Sequence, residues 1–183
     1  MVLMRKRDRR VKALVATMTV LLFIFSWGVC ATGAEVETED LVKAAFVYNF
    51  LKFVKLPKVK NTIVVGIVGD GGMEKAIEGI NGRRVKGRTI LVKRCRNPRG
   101  MMDCSVVFVT RDYRGDIGGI VALSRKKGIL TISDRRGFID RGGMIGLVRS
   151  GSRIGFEVNL GVAKGAGVFV SSRLLKLSLR VIR

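Results

Sequence analysis

The chain has 183 residues, enough for one domain, and 48% of them are hydrophobic, so a sizeable core is available. Its 35 basic residues outnumber 14 acids, for a net charge of +21, and it has no histidine. The missing histidine removes the commonest general base and the commonest zinc ligand together, which weighs against a hydrolase and against a zinc site.

Residues 1–34 read as a leader. MVLMRKRDRRVK carries six basic residues, an apolar run follows from Ala13 to Phe25, and WGVCATGA ends in small residues. A basic start, a short apolar stretch and a small-residue exit make a secretory signal peptide. Cleavage is expected after Ala34, with Ala31 as the second choice. The apolar run of 13 residues is short of the roughly 20 that cross a bilayer. Val11–Val29 is nearly continuous, however, so an uncleaved inner-membrane anchor that exports the remainder stays as the alternative. Trp27, Gly28 and Val29 before Cys30 make a poor lipoprotein signal.

Without the leader the chain keeps 29 bases against 13 acids, a net +16. The excess therefore belongs to the exported domain, either as a solvated surface or as a face for anionic headgroups or an acidic partner. Nucleic acid is the usual first thought for such charge. Export argues against it, and so do the absence of tryptophan after Trp27 and the presence of only two tyrosines for base stacking.

Thr38 is an expected N-cap, with Glu39 and Asp40 in the first turn of a helix that runs to Pro57. On a 3.6-residue wheel Phe46, Val47, Phe50, Phe53 and Val54 share one broad face, and Asn49, Lys52 and Lys55 the opposite arc. Thr62–Val68 is an unbroken β-branched run and reads as a buried strand. GDGG and a short helix over Met73–Ile80 follow, in the layout of a dinucleotide site. Glu74 stands where the third glycine of that fingerprint belongs, and Asp70 adds a second acid against a pyrophosphate, so the glycines are read as a tight turn.

Arg88–Lys93 and Ser105–Val109 are the next strands, and CRNPRGMMDC lies between them. An oxidising compartment favours pairing Cys95 with Cys104, and Pro98 and Gly100 supply the turn that brings the ends together. Closing so short a loop adds about 2.5 kcal/mol in the chain-entropy treatment. The alternative is two free, buried thiols. Asp116–Lys127 is a weak helix interrupted by Gly118 and Gly119, and Ile129–Ile132 is a fourth strand. Met144–Val148 and Ile154–Val158 read as an antiparallel hairpin around RSGSR. A short helix after Asn159, a brief extended piece at Val168–Val170 and a final helix from Ser171 or Ser172 through RLLKLSLRVIR close the chain. Strands alternating with helices plus one hairpin give a single α/β domain over residues 35–183, a mixed sheet flanked by helices.

The block GILTISDRRGFIDRGGMIGLV, from Gly128 to Val148, holds five glycines among strand-like runs. Two readings stand beside each other. The glycines are turn residues that need φ > 0 at several points, or Ser133, Asp134 and the amides of Gly142 and Gly143 line a ligand or partner site. Asp134 sits just past a strand end, where α/β folds keep their sites.

The helix KAAFVYNFLKFVKLP, the strands GRTILVKR and CSVVFV, the block LTISDRRGFIDRGGMIGLV and the tail GSRIGFEVNLGVAKGAGVFVSSRLLKLSLRV occur in a fixed order. Over nearly all of residues 41–182 this resembles the YfiR family of small periplasmic proteins. The resemblance implies regulation without catalysis: such proteins hold an inner-membrane diguanylate cyclase inactive by binding its periplasmic segment, lower cyclic di-GMP and restrain biofilm formation. Release involves an outer-membrane lipoprotein or a change of redox state. Related domains are sensory modules fused to kinases, and this chain resembles the stand-alone form. The expected partners are thus a membrane diguanylate cyclase, an outer-membrane lipoprotein and a second copy of the chain, with no nucleic acid, metal or cofactor. The alternative is a periplasmic small-solute binding protein or sensory module. Two departures from the family are visible. Ser105 follows Cys104 where members commonly have histidine, and Gly137–Asn159 lacks the second cysteine pair of the family repressor.

Overall fold

A computed structural model describes residues 33–57, 59 and 61–183 of the protein. All but the last two positions of the expected leader fall outside those residues. None of the described helices is long and apolar enough to cross a membrane. Residues Glu35–Arg183 form one compact unit.

Helix α1 spans Gly33–Phe53 and leads into a two-residue strand, β1 (Val54–Lys55). There follow β2 (Thr62–Val68), α2 (Gly72–Glu78), β3 (Arg84–Val85), β4 (Arg88–Arg94) and β5 (Val106–Val109). Next come α3 (Ile117–Lys127), β6 (Leu130–Ser133), β7 (Ile145–Ser150) and β8 (Arg153–Asn159). The last elements are α4 (Leu160–Gly165), β9 (Phe169–Val170), α5 (Ser172–Leu177) and β10 (Arg180–Ile182). Eight strands form the main sheet in the order β10-β8-β7-β6-β5-β2-β4-β3. β4, β2, β5, β6 and β7 are mutually parallel, and β7 and β8 form the antiparallel hairpin expected from RSGSR. The domain is therefore α/β with a mixed sheet, as the alternation of apolar runs and helical segments implies.

Alternation along the central strand sorts its side chains onto two faces. Val106 and Phe108 of β5 point into a large core shared with Val47 and Phe50 of α1 and Ile77 of α2. Val107 and Val109 point the other way, toward Ile120 of α3, Met101 and the two cysteines. The aromatic stripe of α1 is core: the Phe50 ring meets Phe156 of β8 edge-on with centroids 5.0 Å apart, and Phe46 lies 5.9 Å from the same ring.

Three local expectations are corrected. α1 begins at Gly33, so Thr38 lies inside the helix and does not cap it. The helix also ends before Pro57, because Val54 and Lys55 pair antiparallel with Val170 and Phe169. The C-terminal helix is far shorter than its leucine pattern implies. Ser171 caps it by accepting from the Leu174 N–H at 3.3 Å, and the Ser178 hydroxyl donates to the Leu175 carbonyl at 2.7 Å where it ends. Arg180–Ile182 then adds in parallel to β8. β-branched Val181 and Ile182 suit a strand, and β8 offers an unpaired edge to receive them.

The glycine block turns sharply, as one of its two readings holds. Gly137 and Gly142 have φ of 68° and 86°, a left-handed conformation that L side chains rarely adopt. Gly143 is required for closeness: a Cβ there would lie 2.2 Å from the Phe138 ring.

Candidate functional site

The carboxyl ends of β5 and β6 meet the first half of α1, and a cleft of about 750 Å³ opens there. Its floor is an ion-pair cluster around Lys43. Lys43 lies on the buried face of α1, in helical register with Val47 and Phe50. A charge placed there needs partners, since an unpaired buried charge is costly. It has three. Lys43 Nζ is 2.8 Å from Glu39 Oε1, one turn earlier, 2.9 Å from Asp134 Oδ2 just past β6, and 3.5 Å from Asp40 Oδ1. The side chains of Lys43 and Asp134 are only 4% and 3% exposed. Asp40 Oδ1 makes no hydrogen bond among the described residues and meets Lys43 as a charge alone.

Asp134 is held on its other side by the loop after β5. Its Oδ1 accepts from the Arg111 backbone N–H at 2.8 Å, and Arg111 Nε lies 3.5 Å from Oδ2. Ser133 is fully buried behind it. The Ser133 hydroxyl donates to the Val109 carbonyl at 2.6 Å and accepts from the Arg135 N–H at 3.0 Å. Arg135 Nη1 donates to the carbonyls of Tyr113 and Arg111, at 2.6 and 3.2 Å, so the two loops are tied together. The electrostatics follow. Burial alone would lower the Lys43 pKa, but the hydrogen bonds to Glu39 and Asp134 outweigh it and raise the value above that of an ordinary lysine. The hydrogen bond from Lys43 holds the Glu39 carboxyl below its ordinary value despite partial burial. Charged groups locked this way are poor proton carriers. Arg111, Arg149 and Arg180 stand at the rim, ion-paired to Glu39, Asp134, Asp140 and Glu157, with 51%, 66% and 44% of their side chains still exposed toward an incoming surface or ligand.

Of the four candidate site residues, the structure brings Asp134 to the cleft floor with Ser133 directly behind it. Gly142 and Gly143 do not join them: their amides donate to the Ile139 and Phe138 carbonyls within the turn. Lys43, Arg111 and Arg135 were not singled out from the sequence. Lys43 carried a usable signal, a lysine at a core position of an otherwise apolar helix face. Arg111 and Arg135 carried none, because their roles arise from two loops that meet only in the folded sheet.

A second feature lies on the opposite face of the sheet. Cys95 follows β4, Cys104 precedes β5, and their sulfurs stand 3.7 Å apart as free thiols, both buried. A 3₁₀ turn over Pro98–Met101, capped by Asn97 accepting from the Gly100 N–H at 3.0 Å, folds the segment back on itself. The hydrogen bond between the two thiols draws the Cys95 pKa down to about 7 and pushes Cys104 above its ordinary value. Gly66 of β2 lies beneath both sulfurs; a Cβ there would come within 2.6 and 2.8 Å of them.

Fold and cleft together define a small α/β domain with a charged recess at the carboxyl edge of its sheet. The sequence profile of the YfiR/HmsC-like family matches residues 40–179, and the chain belongs to that family. The family is one of generally regulatory periplasmic proteins tied to diguanylate cyclase signalling. No curated protein matches the chain. Among solved structures, a conserved domain protein from Vibrio cholerae O1 biovar El Tor superposes with a TM-score of 0.54 at 9% identity. The match covers 78% of this chain and only 60% of that protein, so the likeness is one of fold. The ABC domain from Streptococcus pneumoniae in complex with L-Trp gives 0.45 at 12% identity, over 66% of this chain and 55% of that one. That value is too low to bear on function.

Proposed function

We propose that this protein is exported by its N-terminal leader and holds an inner-membrane diguanylate cyclase inactive by binding the cyclase's periplasmic segment, thereby lowering cyclic di-GMP. The observation that carries the reading is the family match over residues 40–179. The site geometry supports contact over chemistry: its buried acid and base are locked to each other, while the arginines at the rim stay exposed. The Cys95–Cys104 disulfide belongs to the same reading, as the form taken in an oxidising compartment. An outer-membrane lipoprotein and a second copy of the chain are further proposed partners. Affinity capture from solubilised inner membranes tests the contact. The protein should retain a diguanylate cyclase, and capture of a transporter subunit in its place would contradict the reading.

A second reading, a periplasmic solute-binding protein or sensory module, is favoured by the size of the cleft, about 750 Å³ with arginines at its rim. Calorimetric titration with small anionic metabolites tests it, and saturable heat that Arg111→Ala abolishes is the expected result.

A further inference from the structure

Helix α1 links the cleft to the opposite end of the domain. Lys43 to Lys52 is nine residues, about 14 Å along a helix at about 1.5 Å per residue. Beyond Lys52, where β1 pairs with β9, lies a shallow groove of about 400 Å³. Its lining includes Lys52, Lys55, Lys86 and Arg173 and not one acidic residue. Arg83 extends the same patch: its guanidinium lies 5.6 Å over the Tyr48 ring, and Lys52 Nζ is 4.5 Å from that ring.

These cations differ from the ion-paired ones, and they are gathered around one groove. Lys43, Lys93, Arg94, Arg111, Arg149 and Arg180 all meet carboxylates. None of Lys52, Lys55, Arg83, Lys86 and Arg173 is in an ion pair among the described residues. Lys86 is also held at φ 50°, the only described non-glycine residue with positive φ, and its Nζ donates to the Val54 carbonyl at 2.9 Å. A strained turn thus presents an ammonium group at the groove. Among the cations stands Phe169, with 65% of its surface exposed.

Cations without a carboxylate partner around one exposed aromatic, over a shallow surface, match a headgroup layer. Such a layer asks for a broad array of positive charge and an apolar residue to enter the acyl boundary, and not for a shaped receptor. A folded acidic partner would call for a deeper, shaped recess, which this groove lacks. We propose that the face formed by Lys52, Lys55, Arg83, Lys86 and Arg173 around Phe169 docks on a lipid surface carrying anionic headgroups. Docked there, the protein keeps its cleft at the far end of α1. The inference does not depend on the cyclase being the target.

Co-sedimentation of the exported protein with phosphatidylcholine vesicles, with and without phosphatidylglycerol, is the test. The protein should sediment with the anionic vesicles, and added salt should release it. Lys55→Gln with Arg173→Gln should weaken binding about 30-fold, which is about 2 kcal/mol at about 1 kcal/mol per cation. Phe169→Ser should weaken what binding survives high salt. Arg125→Gln with Lys126→Gln removes the same charge from the last turn of α3 and should cost far less. Unchanged thermal melting of each variant shows that loss of binding is not loss of fold. Equal losses for both charge pairs, or equal binding to both vesicle types, would overturn the proposal. So would patch variants that still bind vesicles but no longer bind polyglutamate, which would assign the face to an acidic protein.

Discussion

Lys43 Nζ lies 2.9 Å from Asp134 Oδ2, across 91 residues of sequence, with both side chains buried. This contact fastens the first helix to the carboxyl end of the sheet. Removing one partner of a buried pair leaves an uncompensated charge, a loss that typically reaches about 3–5 kcal/mol. Lys43→Met should therefore destabilise the domain by about 3 kcal/mol or more in urea unfolding. Lys43→Met combined with Asp134→Leu should recover part of that loss. A single variant as stable as the wild type would remove the cluster from the account of stability.

The same cluster sets a pH window. The Glu39 carboxyl is depressed in the fold, so its contribution is present above the ordinary value of 4.5 and is lost as pH falls below it. Lys43 is raised, so its contribution is full below the ordinary 10.5 and is lost as pH rises above it. The contribution of this cluster to the urea midpoint should stay level between these limits and fall on both sides, and Lys43→Met should flatten the alkaline fall. An alkaline limb that the variant leaves unchanged would contradict the assignment.

Gly66 lies under both cysteine sulfurs with no room for a methyl group. Gly66→Ala should cost about 1–3 kcal/mol, as overpacking of a filled core does, and in the reduced protein should lower the reactivity of Cys95, because parting the sulfurs removes the hydrogen bond that draws its pKa down. In the exported protein the pair is expected as a disulfide. Thiol labelling under denaturing, non-reducing conditions should then find neither residue free, and full labelling of both would dismiss the bond.

Export is checked by the new N-terminus. Mass spectrometry of the purified protein should place it near Glu35. Intact Met1 with retention in the membrane would favour the anchor.

Much of the fold was legible because its signals are local. The β-branched run Thr62–Val68 became β2 with the same bounds, and RSGSR became the hairpin turn. What stayed hidden depends on distant partners. Arg180–Ile182 is a strand only because β8 has an open edge, and Val54–Lys55 leaves the helix only because Phe169–Val170 lies beside it. The site divides in the same way. Asp134 is marked by its place after a strand, whereas Lys43 was not singled out although its charge on an apolar face was a usable signal. The role of Arg111 follows from the packing of two loops after parallel strands, which no short window of sequence records.

The central claim, repression through contact, is tested most directly by cyclic di-GMP in the cell. Deleting the gene in a strain that expresses the matching cyclase should raise cyclic di-GMP. Restoring the full chain should lower it, and restoring residues 35–183 without the leader should not, because that protein would lie on the wrong side of the membrane. Unchanged cyclic di-GMP in the deletion, with the cyclase confirmed as expressed, would contradict the account.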